Sequence, residues 1–132
     1  MTQTDNKQFI KQVFKDTFEN MDASEENYSH YFAKEYVQHV DGKTLNYTEF
    51  LAHMKALKQA MKTIAIDFKI ILADGDKVAT VHKVHGIKRD GGTIHAQVNA
   101  IFQIKDNQII LCDELTHLIQ GNSDDKDLGS RH

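Results

Sequence analysis

The sequence predicts an α+β fold in which three N-terminal helices pack in the concave face of a strongly curved, mainly antiparallel sheet. Apolar residues recur at three- and four-residue spacing up to about residue 61, and the period changes to two near Ile64. Short clusters of Asp, Gly and Asn then divide the remaining chain into runs of roughly a dozen residues. Strands of that length reach about 40 Å at ~3.3 Å per residue, and long twisted strands curl. The helices sit in the curl.

Phe9, Ile10, Val13, Phe14, Phe18 and Met21 share one face of a helix over about residues 5–20. Asp22 and Glu25 have capping-box spacing, and Tyr28, Tyr31 and Phe32 form the stripe of a short second helix. Asp41-Gly42 between Tyr36–Val40 and Lys43–Leu45 predicts a small hairpin. Asn46 and Glu49 form another capping box, followed by the buried stripe Phe50, Met54, Leu57 and Met61 of a third helix. From Ile64 the alternation Ile64, Ile66, Phe68, Ile70, Leu72 is that of a strand with one face in the core. Three more strands, at 77–89, 93–105 and 108–119, continue an antiparallel meander through turns at Asp74-Gly75-Asp76, Asp90-Gly91-Gly92 and Asp106-Asn107.

The chain has 132 residues, 40% of them hydrophobic and 27% charged, which suits one domain over 1–120 followed by a polar, acidic, solvated tail over 121–132. A net charge of −3 offers no basic footprint for nucleic acid or anionic lipid, so neither is expected as a partner. Cys112 is the only cysteine, and no apolar run is long enough to span a membrane; the expected location is the cytoplasm.

Loop lengths set which residues face one another across the meander. A two-residue turn at Asp106-Asn107 places Asn99 opposite Glu114, and one at Asp90-Gly91 places His82 opposite Asn99. A three-residue loop at Asp74-Gly75-Asp76 sets Phe68 opposite His82, which puts the row His82, Asn99, Glu114 on the core face. Polar groups there are costly unless they bond one another or a ligand, so the row predicts a lined pocket. Gln97, Cys112 and Thr116 belong to the same face, with Tyr36, His39 and His53 closing the mouth. The opposite face then carries Val81, Val98, Ala100, Phe102, Ile104, Ile109 and Leu111, too much apolar surface to leave in water. A homodimer through the face with Val98, Ala100, Phe102 and Leu111 is the expected cover.

The order helix, helix, small hairpin, helix, four long strands resembles the nuclear-transport-factor-2-like superfamily, in its branch of SnoaL-like polyketide cyclases and ketosteroid isomerases. The local similarities are Tyr36-Val-Gln-His39 with Gly42, the run Ala100–Ile110, Cys112-Asp-Glu114 and the ending Asp127–Arg131. The resemblance implies a cone-shaped, cystatin-like α+β barrel around an apolar pocket. It also implies that Glu114, on the final strand, is a base or proton shuttle, and that His39 is a pocket residue. The acid here is Glu where the branch more usually has Asp, and no stretch matches the Tyr and Asp pair that binds the substrate oxygen in ketosteroid isomerases.

Two functions follow. In the first, an enzyme performs cofactor-free isomerase, cyclase or lyase chemistry on an apolar, carbonyl-bearing small molecule. Glu114 is then the base, His82 and His39 the acid or orienting groups, and Asn99 or Tyr36 holds the oxygen. In the second, a non-catalytic dimeric module uses the cavity for ligand binding, or its sheet for assembly. His82 and His85 point to opposite faces of a strand and there is no HExxH and no cysteine pair, so no metal site is expected; a site from His39, His82 and Glu114 has acceptable ligand types but no local spacing in its favour. His30, His85, His95, His117 and His132 are assigned structural or solvated roles.

Overall fold

The computed structural model describes residues 3–121, so the expected tail, apart from Gly121, lies outside the described residues. Helix α1 spans Gln3–Asp16, α2 Glu25–Tyr31 and α3 Tyr47–Ala60; strands are β1 (Phe32–Val40), β2 (Lys43–Asn46), β3 (Met61–Asp74), β4 (Lys77–Lys88), β5 (Thr93–Lys105) and β6 (Gln108–Gln120). They form one sheet in the order β2-β1-β6-β5-β4-β3, antiparallel at every step except β1 with β6, which run parallel. This is the expected α+β architecture. Among the described residues no helix is long and apolar enough to cross a membrane.

Local chemistry explains the elements. α1 buries Ile10, Val13 and Phe14, with Phe9 and Phe18 packed beside them. The cap of α2 is Ser24, two residues after the expected Asp22: the Asn27 side chain accepts from the Ser24 amide at 2.8 Å, while the Asp22 amide donates to Asn20 in the preceding turn. Phe32 ends the helix and opens β1, because its amide donates to the Tyr28 carbonyl while its own backbone is already extended. The α3 capping box forms as read, with Glu49 N–H to Asn46 Oδ1 at 2.9 Å and Asn46 N–H to Glu49 Oε1 at 3.0 Å. Asp41 (φ 52°) and Gly42 (φ 85°) make the two-residue turn that Asp-Gly predicts.

The register differs from the expected one at two places, and the two differences have opposite effects. The β4–β5 connection is a three-residue loop, Arg89-Asp90-Gly91, closed by Lys88 N–H to Gly92 carbonyl at 2.7 Å with Gly91 at φ 93°. His82 therefore faces Val98, and Asn99 faces Val81. The β5–β6 turn is the expected two-residue one, with Lys105 opposite Gln108, but an interruption of the ladder follows, because Ile104 pairs with Ile109 and Gln103 with Leu111. Ile110 is the extra residue. Glu114 consequently faces Ala100, and Thr116 faces Val98. Each one-residue change inverts the next strand, so β5 alone is turned over, while His82 and Glu114 remain on the inner face.

A third pair of differences cancels within one hairpin. β3 and β4 close on a two-residue turn, Asp74 opposite Lys77, and a bulge between Phe68 and Ile70 restores the expected pairing of Phe68 with His82. Ile70, read as a core residue, is turned outward by that bulge and is 46% exposed.

The expected dimer face is corrected by the same inversion. Val98, Ala100 and Phe102 are buried against α1 and the rest of the main apolar cluster, as is Ile104. Ile109 is buried too, ahead of the extra residue. Leu111 and Val81 do belong to the outer face.

Candidate functional site

A cavity of about 90 Å³ lies between the helices and the inner face of the sheet. Its walls are apolar: Phe14 of α1 and Phe18 in the turn after it, Phe50, Met54 and Leu57 of α3, and Ile64, Ile66, Val98 and Phe102 of the sheet. Tyr36, Gln38, His53, His82, Cys112, Glu114 and Thr116 add polar groups. Among the described residues, no Lys or Arg lines it.

Six of the nine residues singled out from sequence therefore meet here: Tyr36, His53, His82, Cys112, Glu114 and Thr116. Three do not. Asn99 is exposed on the outer face, where its side chain accepts from Gln97 at 3.1 Å, and both lie outside because β5 is inverted. His39 is exposed, paired across the ladder with Asp113 and hydrogen-bonded to Thr44 at 3.0 Å. Alternation along β1 requires this: with Tyr36 and Gln38 inward, His39 must point out. The combination of His39, His82 and Glu114 as a metal site is excluded on the same ground.

Gln38 is the residue that sequence reading missed. Its signal is present, because any strand that turns Tyr36 inward also turns Gln38 inward. The parallel β1–β6 ladder sets Gln38 level with Cys112 and Val40 level with Glu114. The Tyr36 hydroxyl donates to Gln38 Oε1 at 2.8 Å, and Gln38 Nε2 donates to Glu114 Oε1 at 3.0 Å. This chain of polar groups ends at a carboxyl facing an apolar cavity. Asp41 fixes the backbone around it, donating its amide to the Glu114 carbonyl at 3.2 Å and accepting the Thr116 amide at 2.8 Å.

Burial raises the Glu114 carboxyl from 4.5 to about 8, and the negative charges of Asp41 and Asp113 add to the effect. The consequence is that the carboxyl holds its proton at neutral pH. Burial lowers His82 from 6.5 to about 4, so its imidazole is neutral. Its Nδ1 lies 2.9 Å from Thr80 Oγ1, and Phe14 meets the ring edge-on at a centroid distance of 4.9 Å. Burial also holds the Tyr36 phenol and Cys112 thiol well above their ordinary values. Thr116 Oγ1 is buried without a hydrogen-bond partner among the described residues.

At pH 7 Glu114, His82, Tyr36 and Cys112 thus face the cavity as neutral groups in largely apolar surroundings. Such a set suits an uncharged ligand, because a charged one would be desolvated with no counter-ion.

Residues 10–111 match the family model described as the SnoaL-like domain. An uncharacterised protein of Schizosaccharomyces pombe is 36% identical over 126 residues, which cover 96% of this chain and 96% of that protein. Among solved structures, AclR from Streptomyces galilaeus superposes with a TM-score of 0.79 at 12% identity, over 99% of this chain and 89% of AclR. An LEH-like epoxide hydrolase of M. tuberculosis gives 0.69 at 14% identity, over 87% of this chain and 84% of the hydrolase. At these identities the likeness to both structures is one of fold, the nuclear-transport-factor-2-like cone.

Proposed function

The chain belongs to the SnoaL-like domain family, and from that premise we propose that its cavity binds a neutral, apolar, carbonyl-bearing small molecule and moves a proton on it without a cofactor. The observation that carries this is the Tyr36–Gln38–Glu114 chain, which delivers one oriented carboxyl into a cavity whose walls are mostly apolar. Glu114 enters the reaction protonated. It gives its proton to the substrate oxygen, and the carboxylate so formed takes a proton from a neighbouring carbon, so that an O–H bond forms, a C–H bond breaks and the enzyme ends as it began. Glu114 is thus acid first and base second, a proton shuttle of isomerase, cyclase or lyase type. His82, neutral and fixed by Thr80, orients the oxygen, and the unpartnered Thr116 hydroxyl is a second hydrogen-bonding group for it.

The test is a panel of apolar ketones and enones assayed for isomerisation or cyclisation with wild type and Glu114→Gln. The variant keeps shape and loses the proton, so turnover should vanish while binding persists. Unchanged turnover would reject the role.

The second reading, a dimeric binding or assembly module, is favoured by the outer sheet face. Ile70, Leu72, Ile101 and Leu115 are 46%, 61%, 50% and 66% exposed there, and Val81 and Ala79 join them in adjacent rows. Four strands at about 4.8 Å spacing, each with four or five outward residues, present a face on the order of 500 Å² in projection, of the scale a second copy needs. We place the homodimer on this face, with catalysis and assembly on opposite sides of one sheet. The acidic net charge of −3 and the single, buried cysteine support action in the cytoplasm, without nucleic acid or lipid.

A further inference from the structure

Resting on the reading of the cavity as a ligand site, we infer that Met61, seated against Gly86, sets the length of molecule the cavity accepts. The relay and Met61 stand at opposite ends of the cavity. Glu114 is on β6 and Gln38 on β1, whereas Met61 opens β3 and Gly86 lies on β4, at the other edge of the sheet. From β6 to β3 is three strand spacings, on the order of 14 Å along the curved sheet. The apolar residues divide in the same way: Tyr36 and Cys112 belong to the main cluster, and Met61 to a smaller one with Ile64, Ile94 and Ala96.

The backbone of Met61 is pinned, because it caps α3 by donating its amide to the Leu57 carbonyl while opening β3. Its side chain is buried, and its terminal methyl occupies the space above Gly86, where an added Cβ would collide with Met61 Cε. Gly86 does not have a positive φ, so nothing in the backbone demands glycine there. The requirement is space for the thioether. An unbranched, unpinned side chain on a pinned backbone forms an adjustable end wall. The ligand is therefore elongated, with its oxygen at Glu114 and its apolar end against Met61.

The two residues predict shifts of opposite sign. Met61→Ala removes three heavy atoms from the end wall; Gly86→Ala pushes the thioether into the cavity. Wild type and both variants are titrated calorimetrically with straight-chain 2-alkanones of five to twelve carbons, with circular dichroism and melting curves as the check on folding. Wild type should show a chain length beyond which affinity drops. In Met61→Ala that limit should rise by about three carbons, with the newly admitted ketones bound roughly tenfold or more tighter than by wild type. In Gly86→Ala the limit should fall. Should Gly86→Ala not fold, Met61→Ala and Met61→Val carry the test, with the limit rising more in Ala than in Val. Ketones that bind with the same limit in folded Met61→Ala overturn the assignment of Met61 alone. Failure of every ketone to bind any of the proteins overturns this assignment together with the ligand-site reading.

Discussion

Replacing Glu114 by glutamine should make the protein more stable as the pH rises, and the effect can be worked from the site. The folded carboxyl titrates at about 8 and its ordinary value is 4.5, so between those values the folded chain keeps a proton that the unfolded chain has lost. The folded state then binds more protons, and wild-type stability must fall with rising pH through this window and level off above about 8. At 1.36 kcal/mol per pH unit the loss from this one group is about 4 kcal/mol between pH 5 and pH 9. The glutamine amide keeps the shape and an oxygen for the Gln38 side chain at no such cost. Urea denaturation of both proteins by far-ultraviolet circular dichroism should show similar stability near pH 5 and the Glu114→Gln variant ahead by about 4 kcal/mol at pH 9. His82 contributes to both proteins alike and drops out of the difference. A gap that stays constant from pH 5 to pH 9 would refute the dry environment assigned to Glu114, and with it the proton-donor role.

His82 has the opposite sign: lowered from 6.5 to about 4, it makes stability fall as the pH drops through that window, and His82→Gln should flatten the acid limb of the wild-type curve. Tyr36→Phe removes the donor to Gln38 Oε1 and leaves a buried acceptor unpaired, which should cost about 1–3 kcal/mol by denaturation; a cost near zero would mean that the relay is solvated. The double substitution Ile101→Lys, Leu115→Lys places charges on the outer face without touching the cavity. Light scattering should read about 30 kDa for wild type, twice 15.1 kDa, and about half that for the variant; equal masses would move any interface elsewhere.

The fold is legible because its signals are local and redundant. Asn46 with Glu49 fixes where α3 begins, Asp41-Gly42 fixes the first hairpin, and the alternation after Ile64 runs for a whole strand. Register is a different kind of quantity. It depends on whether Gly91 closes a three-residue loop and whether Ile110 is accommodated as an extra residue, each a choice between conformations of similar energy that neighbouring packing decides. Packing also supplies the reason for the outcome. With β5 in the expected register, Phe102 and Val98 would have faced water while Asn99 and Gln97 lay beneath Phe14 and its neighbours. Burying four or so apolar side chains outweighs any preference of a short loop, at roughly 1.5–3 kcal/mol for each. The burial pattern of β5 alone, in which Ile94, Ala96, Val98, Ala100, Phe102 and Ile104 alternate with polar residues and Ile101, carries this information in the sequence. Strand amphipathicity is thus a stronger constraint on register than loop length, and the expected register rests on the weaker of the two.

The same weighing explains why only part of the site is legible. His82, Cys112, Glu114 and Thr116 lie on strands whose inner face survives because the two register changes compensate, whereas Asn99 and Gln97 lie on the one strand between them. The partner that orients Glu114 is 76 positions away, on β1. It reaches the carboxyl only through the parallel β1–β6 ladder, and no hairpin loop in the sequence announces that pairing. A parallel contact between the first strand and the last has neither a turn signature nor a length rule, and it forms here because Phe32 and Tyr36 need the apolar cluster that β6 completes with Ile109 and Cys112, while Val40 is buried beside Glu114 in the same ladder. Apolar closure of the sheet therefore comes first physically, and the Gln38–Glu114 hydrogen bond is carried into place by it. A variant that weakens that closure, such as Val40→Ala, should loosen Gln38 from Glu114 and admit water to the carboxyl, lowering its pKa toward 4.5 before it unfolds the chain. Titrating the stability of Val40→Ala against pH checks this, since its fall between pH 5 and pH 9 should be shallower than in wild type, and an equally steep fall would place the dryness of Glu114 under the control of other residues.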